Sequence, residues 1–201
     1  LVKRDGKLVE EVYTVGGCYS AAIEKIVENL RKAVAFAEND KQKAHINKLI
    51  QYYTDGNLKT FDEYSILWVE DVVSSVDFIN GFIENYGDPL GYKGAWESIV
   101  NFKNEKASHR TDVVSSNAQW FESNSPVDPR FKKEKVKGVT AKVITAAILA
   151  GDSYPSTPIG INLPNANWIR AAHGSKSVTL ENITEAYDQA SHGNGFNEEF
   201  V

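Results

Sequence analysis

The chain has 201 residues, of which 42% are hydrophobic and 24% are charged, and its formal net charge is -5. This composition is typical of an ordinary folded domain and supplies enough apolar surface for a core. The 22 Lys and Arg residues are scattered and form no basic stripe, which argues against nucleic acid as a partner. The longest apolar stretch, Val139 to Ala150, is too short for a membrane helix, which needs about 20 apolar residues. We therefore expect a soluble protein with no membrane partner.

The cysteine and methionine content bears on the origin of the chain. Cys18 is the single cysteine, so no intramolecular disulfide can form, and a reducing, cytoplasmic location is expected. The sequence starts at Leu1 and contains no methionine. We interpret this start as an artificial boundary rather than a natural amino terminus.

Helical periodicity dominates the first part of the chain. Apolar residues at helical spacing predict an amphipathic helix over residues 19–39. A second helix follows a polar break and ends at the turn that starts with Asp55. Thr60 and Glu63 have the spacing of a capping box, which predicts a third helix over residues 61–70.

The rest of the chain mixes strand and helix signals. β-branched and aromatic residues predict a strand or extended chain over residues 72–82, and the segment from Tyr86 to Gly91 has the composition of a turn. Residues 94–123 fit one long helix or two shorter helices. A buried strand is predicted for Val139 to Ala150 in preference to a helix, and Thr179 is predicted to cap a last helix.

A short extended stretch from Pro158 to Asn165 has prolines near both ends, which exclude those ends from a central strand. Together these elements predict an α+β fold. We expect a single fragment with a helix-rich first part, residues 1–70, and a mixed part with a few strands, residues 71–201.

Candidate polar groups are few. The histidines are too dispersed for a zinc motif, and no H-E-x-x-H sequence is present; they are His45, His109, His173 and His192. An acidic group that includes Asp77 either binds a positive group such as a peptide amine or forms a solvated face. Asn162 and Asn165 are carboxamides in an otherwise apolar segment, where they either recognise a peptide backbone or form turns.

Two longer motifs carry more information. The run from Gly81 to Pro89 reads G-F-I-E-N-Y-G-D-P, and the run from Gly160 to Asn165 reads G-I-N-L-P-N. Both resemble stretches of the dipeptidyl peptidase III family, the zinc peptidases of family M49, and their order and separation also match. The run from Ser115 to Glu122 resembles the bacterial branch of that family. The similarity extends over most of the chain from about residue 15 onward.

The resemblance implies part of a larger, two-lobed enzyme that removes dipeptides from the amino terminus of short peptides. In the family, zinc is held by an H-E-x-x-G-H motif, which the 201 residues lack. The resemblance therefore implies zinc as the cofactor of the longer enzyme, with no catalytic residue and no metal in this chain. The chain alone is expected to be inactive.

For the residues present, the resemblance implies a substrate-holding role. A peptide would lie as an added strand along the second motif, with Asn162 and Asn165 fixing its amino-terminal end and Gly160 and Ile161 offering backbone. An acidic contact to the free amine is also implied, and Asp77 is the nearest match by offset. The expected partners are short peptides with a free amino terminus and the remaining lobe of the enzyme.

Two alternatives belong to other functional classes. One is a non-catalytic peptide-binding or scaffold protein with the same fold. The other is a purely structural helical domain, which would not bind peptides with free amines at all.

Overall fold

The computed structural model describes residues 1–88, 90, 94–136 and 139–190. Its α+β composition confirms the fold class expected from the sequence. The chain divides into two compact units, Leu1–Ser74 and Ser75–Val201. None of the described helices is long and apolar enough to cross a membrane. Pro89 and Gly91 of the predicted turn, and His192, lie outside the described residues.

The first unit is a short hairpin followed by three helices. Its strands are β1 (Val2–Arg4) and β2 (Lys7–Val9), and its helices are α1 (Ser20–Ala33), α2 (Asp40–Asp55) and α3 (Leu58–Glu70). A single 3-10 turn, Val34–Phe36, extends α1. Apolar side chains at helical spacing form the core, among them Ile23, Val27, Leu49, Tyr53 and Trp68.

Side-chain caps set the helix boundaries in this unit. The Asn39 side chain accepts a hydrogen bond from the Gln42 backbone at the start of α2. The prediction that Thr60 caps α3 is wrong. Asn57 is the cap, accepting from Lys59 N, while the Thr60 hydroxyl donates to Asp55 Oδ2 at 3.1 Å. Asn57 has the extended backbone that a cap requires, whereas Thr60 already lies within the first turn.

The second unit is built on a five-stranded sheet. Its strands are β3 (Val76–Glu84), β4 (Ala95–Lys103), β5 (Val139–Gly151), β6 (Gly160–Leu163) and β7 (Ser175–Leu180), and its helices are α4 (Glu105–Ser116), α5 (Ala118–Asn124), α6 (Asn167–His173) and α7 (Glu181–Ala190). The strand order is β3-β4-β5-β7-β6. Neighbouring strands are antiparallel except β5 and β7, which are parallel.

Two predicted elements of this unit are wrong. Residues 95–103 form strand β4 where a helix was expected, and alternate residues Glu97, Ile99 and Asn101 are buried with the period of two that a strand requires. Thr179 lies inside strand β7, opposite Gly160, and the last helix begins at Glu181. The sequence reading also missed both α6 and β7.

The sheet curls strongly. Neighbouring strands lie about 4.8 Å apart, so a flat sheet would separate β3 from β7 by roughly 14 Å. Yet Lys176 Nζ on β7 reaches Asp77 Oδ2 on β3 at 2.9 Å, with β4 and β5 between them in the strand order. The buried face is therefore concave, and it holds this ion pair beside apolar side chains such as Ile79, Ile99 and Ile144.

Candidate functional site

The edge strand β6 presents the second sequence motif. Gly160–Leu163 pairs only with β7 among the described strands, so its other edge has no partner in the sheet. Leu163 is buried, whereas Asn162 is exposed on the opposite side of the strand. A Cβ at Gly160 would lie 3.1 Å from Val178 O, which explains the small residue at this position. An unpaired strand edge is a ready acceptor for an extended peptide.

Four of the five predicted site residues lie on one pocket wall. The pocket has a volume of about 540 Å³, and Gly160, Ile161, Asn162 and Asn165 all line it. Asn162 makes no side-chain hydrogen bond to another described residue, so its carboxamide is available to a ligand. The pocket also collects residues from elsewhere in the sheet, namely Glu84, Tyr86, Glu97 and Asp152.

Asn165 connects the two sequence motifs in space. Its Nδ2 donates a hydrogen bond of 3.1 Å to the Ile83 carbonyl, 82 residues away in the sequence. The end of β3, with Glu84 and then Tyr86, is thereby held against the segment that follows β6. The two motifs thus form a single wall.

Three carboxyl groups from different strands approach one another in this pocket. Glu97 on β4 lies opposite Gly81 in the register, and Glu84 lies opposite Ala95, so their side chains share a face on adjacent strands. Asp152 follows β5, and its backbone N–H donates to Trp96 O at 2.9 Å, which holds it beside β4. The described pocket lining contains no Lys or Arg.

Glu97 is the most perturbed of these acids. It is 4% exposed, and burial, a hydrogen bond with Glu84 and the negative charges of Glu84 and Asp152 raise its pKa from the ordinary 4.5 to about 8. An acid in this environment is protonated at neutral pH. Glu97 therefore adds no negative charge to the pocket beside Glu84 at neutral pH.

Asp77, the fifth predicted site residue, lies elsewhere. It is 8% exposed, is not among the lining residues of the pocket, and is paired with Lys176 on the concave face of the sheet. Its other carboxylate oxygen accepts a hydrogen bond of 2.8 Å from Phe78 N. The role of Asp77 as an amine contact stays a prediction, and in this structure the charge of Asp77 already has Lys176 as its cationic partner.

Four acidic or phenolic residues of the pocket were not predicted from the sequence, and their sequence contexts differ in how well they indicate a site. Glu84 and Tyr86 are letters of the G-F-I-E-N-Y-G-D-P motif itself, so the motif contained them without indicating their role. Glu97 has no motif; its only signal is a lone acid inside the run W-E-S-I-V. Asp152 sits in a polar turn and offered no signal.

No group of three His, Cys, Asp or Glu residues that could hold a metal ion occurs within the described part of the chain. His45 is buried beside Asp71, with Nε2 3.4 Å from Oδ2, in the first unit. His109 is exposed next to Asp112. The described residues therefore do not fit a zinc site.

Comparisons with known proteins identify the family of the chain. Residues 3–199 match the family described as Peptidase family M49. Curated relatives include dipeptidyl peptidase 3 of Dictyostelium discoideum, 32% identical over 90% of this chain and 26% of its own length, and the human dipeptidyl peptidase 3, 31% identical over 83% and 22%. The chain thus spans about a quarter of the length of these relatives.

Two solved structures share the fold. The structure of DPP III from Caldithrix abyssi matches with a TM-score of 0.80 and 26% identity, over 92% of this chain and 35% of that chain. The dipeptidyl-peptidase III from Corallococcus sp. strain EGB matches with a TM-score of 0.78 and 25% identity, over 93% and 34%.

The fold and these matches define a region of a peptidase. The chain belongs to peptidase family M49, and its resemblance to dipeptidyl peptidase III is confirmed.

Proposed function

We propose that this chain is the substrate-holding portion of a zinc-dependent exopeptidase that releases dipeptides from the amino terminus of short peptides. The observation that carries the proposal is the pocket in which two carboxamides and three carboxyl groups meet beside an unpaired strand edge. The proposal is supported because the groups in that pocket are chemically complementary to the amino-terminal end of a peptide.

The strand edge suits the peptide backbone. An extended peptide laid along β6 would form main-chain hydrogen bonds with a strand that has one open side. The Asn162 carboxamide can both donate and accept, as a peptide group requires. The free amide atoms of Asn165 lie on the same wall.

The carboxyl groups suit the free amine. An ammonium group makes charge-assisted hydrogen bonds with carboxylates, and Glu84 at the end of β3 is held beside Asn165 by the Asn165–Ile83 bond. An anchored amine fixes how far the peptide extends from the anchor, and such a distance would set the bond that is cut. Zinc would be supplied by a part of the enzyme outside the described residues, which form no metal site.

Calorimetry with tetra-alanine and N-acetyl-tetra-alanine tests the proposal on the full 201-residue chain. We expect the free-amine peptide to bind at least tenfold more tightly, because a hydrogen bond to a charged group contributes about 1.5–3 kcal/mol. Asn162→Ala should weaken this binding. Asn124→Ala, at an exposed amide on α5 that is not among the residues lining the pocket, is the matched control. Equal affinity for the two peptides would exclude amine recognition.

A further inference from the structure

Glu97 is buried in the pocket wall with an incompletely satisfied carboxyl group. Its Oε2 atom has no hydrogen-bond partner among the described residues, although only 4% of the residue is exposed. An ionised carboxylate oxygen that is buried and unpaired is strongly disfavoured, so such a group either keeps a proton or binds a cationic partner. Glu97 lines the pocket, so that partner can reach it from the open side.

Every described charged group that lines the pocket with Glu97 is itself an acid. Glu84 comes from β3, and Asp152 follows β5. The lining residues from β6 and from residues 156–158 are uncharged, and Tyr86 adds only a phenol. The described pocket lining offers no cation that could neutralise Glu97 beside Glu84. Burial and repulsion between the acids therefore favour a bound proton, and they raise the pKa of Glu97 to about 8.

We propose that Glu84 and Glu97 hold one proton between them in the empty pocket and release it to solvent when a peptide ammonium binds. The inference rests on the proposed function, since the ammonium is the amino terminus of the substrate. Before binding, the pair consists of one carboxylic acid and one carboxylate. After binding, two carboxylates flank one ammonium, the proton has passed to the buffer, and no covalent bond other than that O–H bond has changed.

The exchange is favourable because the ammonium replaces what the proton supplied. It carries three N–H donors and a full positive charge, so it serves both acids and also gives Glu97 Oε2 the donor it lacks. Glu97 therefore acts as a specificity-determining contact to the amine, and it stays protonated until the amine binds. A neutral or blocked amino terminus offers no charge to displace the proton.

Coupling to a proton makes the affinity depend on pH. Below pH 8 the pair must lose its proton before or as the peptide binds. The dissociation constant should therefore fall by up to tenfold for each unit by which the pH rises. The rise in affinity ends near pH 8, where a peptide amine with a pKa of about 7.7–8 loses its own charge.

Calorimetry of tetra-alanine binding to the 201-residue chain at pH 6.5, in buffers of different ionisation enthalpy, counts the protons released. We expect close to one per peptide for the wild type and none for Glu97→Gln, whose affinity should also lose its pH dependence below pH 7.5. Glu185→Gln, on the exposed side of α7, should release as many protons as the wild type. Peptide binding without proton release in the wild type would overturn the proposal and leave the proposed function intact.

Infrared spectroscopy of the peptide-free chain tests the shared proton without any ligand. A carboxylic-acid C=O band at pH 7 that is lost in Glu97→Gln and shifts in frequency in Glu84→Gln, where burial still favours the neutral form of Glu97, supports the proton-sharing pair. The absence of that band from the wild type would overturn it. A chain that shows the band yet binds neither tetra-alanine nor its acetylated form would instead overturn the proposed function together with the release step.

Discussion

Lys176 Nζ lies 2.9 Å from Asp77 Oδ2 on the concave face of the curled sheet, joining strands that the strand order separates by two others. Lys176 is completely buried, and Asp77 is nearly so. This pair is a structural link within the second unit. It also gives a cationic partner to Asp77, the acid that the sequence-based prediction assigned to the substrate amine.

Removing one member of this pair should destabilise the chain. Lys176→Met leaves a buried carboxylate without its ammonium partner, and breaking a buried pair in this way costs about 3–5 kcal/mol. A urea unfolding curve would show the change as a lower midpoint. The double variant Asp77→Asn with Lys176→Met should recover part of the loss, and Lys32→Met, in an exposed helical pair with Glu28, should leave the midpoint almost unchanged.

The same variants test the predicted amine contact of Asp77. If Asp77 serves only the fold, Asp77→Asn weakens binding of free-amine and acetylated peptides alike. A selective loss for the free-amine peptide, at unchanged stability, would support the sequence-based role and contradict the ion pair as its main function.

Asn162 and Asn165 should separate binding from stability. Asn162→Ala removes a carboxamide with no described protein partner, so we expect weaker peptide binding by about tenfold or more and an unchanged unfolding midpoint. Asn165→Ala also removes the bond to the Ile83 carbonyl, so it should lower both quantities. In the longer enzyme each change should lower kcat/KM by roughly tenfold with unaltered zinc content. Full activity of both variants would contradict the binding role and would mean that these residues only form turns.

The sequence predicted elements whose inward residues are apolar. The helical spacing of Ile23, Val27 and Leu30 predicted α1, and the β-branched run from Val139 predicted β5. Strand β4 was missed because two of its buried positions, Glu97 and Asn101, are polar and disguise the period of two. Strand β7 was missed for the same reason. Its buried positions include Ser175 and Lys176. Burial of Lys176 becomes acceptable only because the curled sheet brings Asp77 of β3 within 2.9 Å of its Nζ.

The candidate site shows the same division. Asn162 and Asn165 lie within one short motif, so the sequence sufficed to select them. The acid beside them could not be selected in this way, because strand register brings Glu84 and Glu97 together. The Asn165–Ile83 bond then holds the end of β3, which carries Glu84, against the segment with Asn165. Offset along the chain favoured Asp77, whereas the register favours Glu84.

The chain should lack stoichiometric zinc and should not hydrolyse dipeptidyl substrates by itself. Among the described residues no group of three His, Cys, Asp or Glu side chains is arranged so that it could hold a metal ion, and a hydrolytic metal site needs about three protein ligands. Elemental analysis of protein purified without chelators, with and without added zinc, provides the measurement. About one tightly bound zinc per chain, retained through dialysis against a chelator, would contradict this prediction and require ligands among the histidines.

Glu97 should make the stability of the chain fall as pH rises. Its pKa is raised from 4.5 to about 8 in the folded state, so between these values the folded chain binds more protons than the unfolded chain. Its contribution is therefore complete below about pH 4.5 and is lost as pH rises through 8. Urea midpoints at pH 5.5, 7 and 8.5 should decline more steeply for the wild type than for Glu97→Gln, which keeps the donor to Glu84 and cannot ionise. Glu185→Gln should follow the wild type. Parallel curves for wild type and Glu97→Gln would mean that Glu97 ionises equally in both states, and the shared proton would then have no basis.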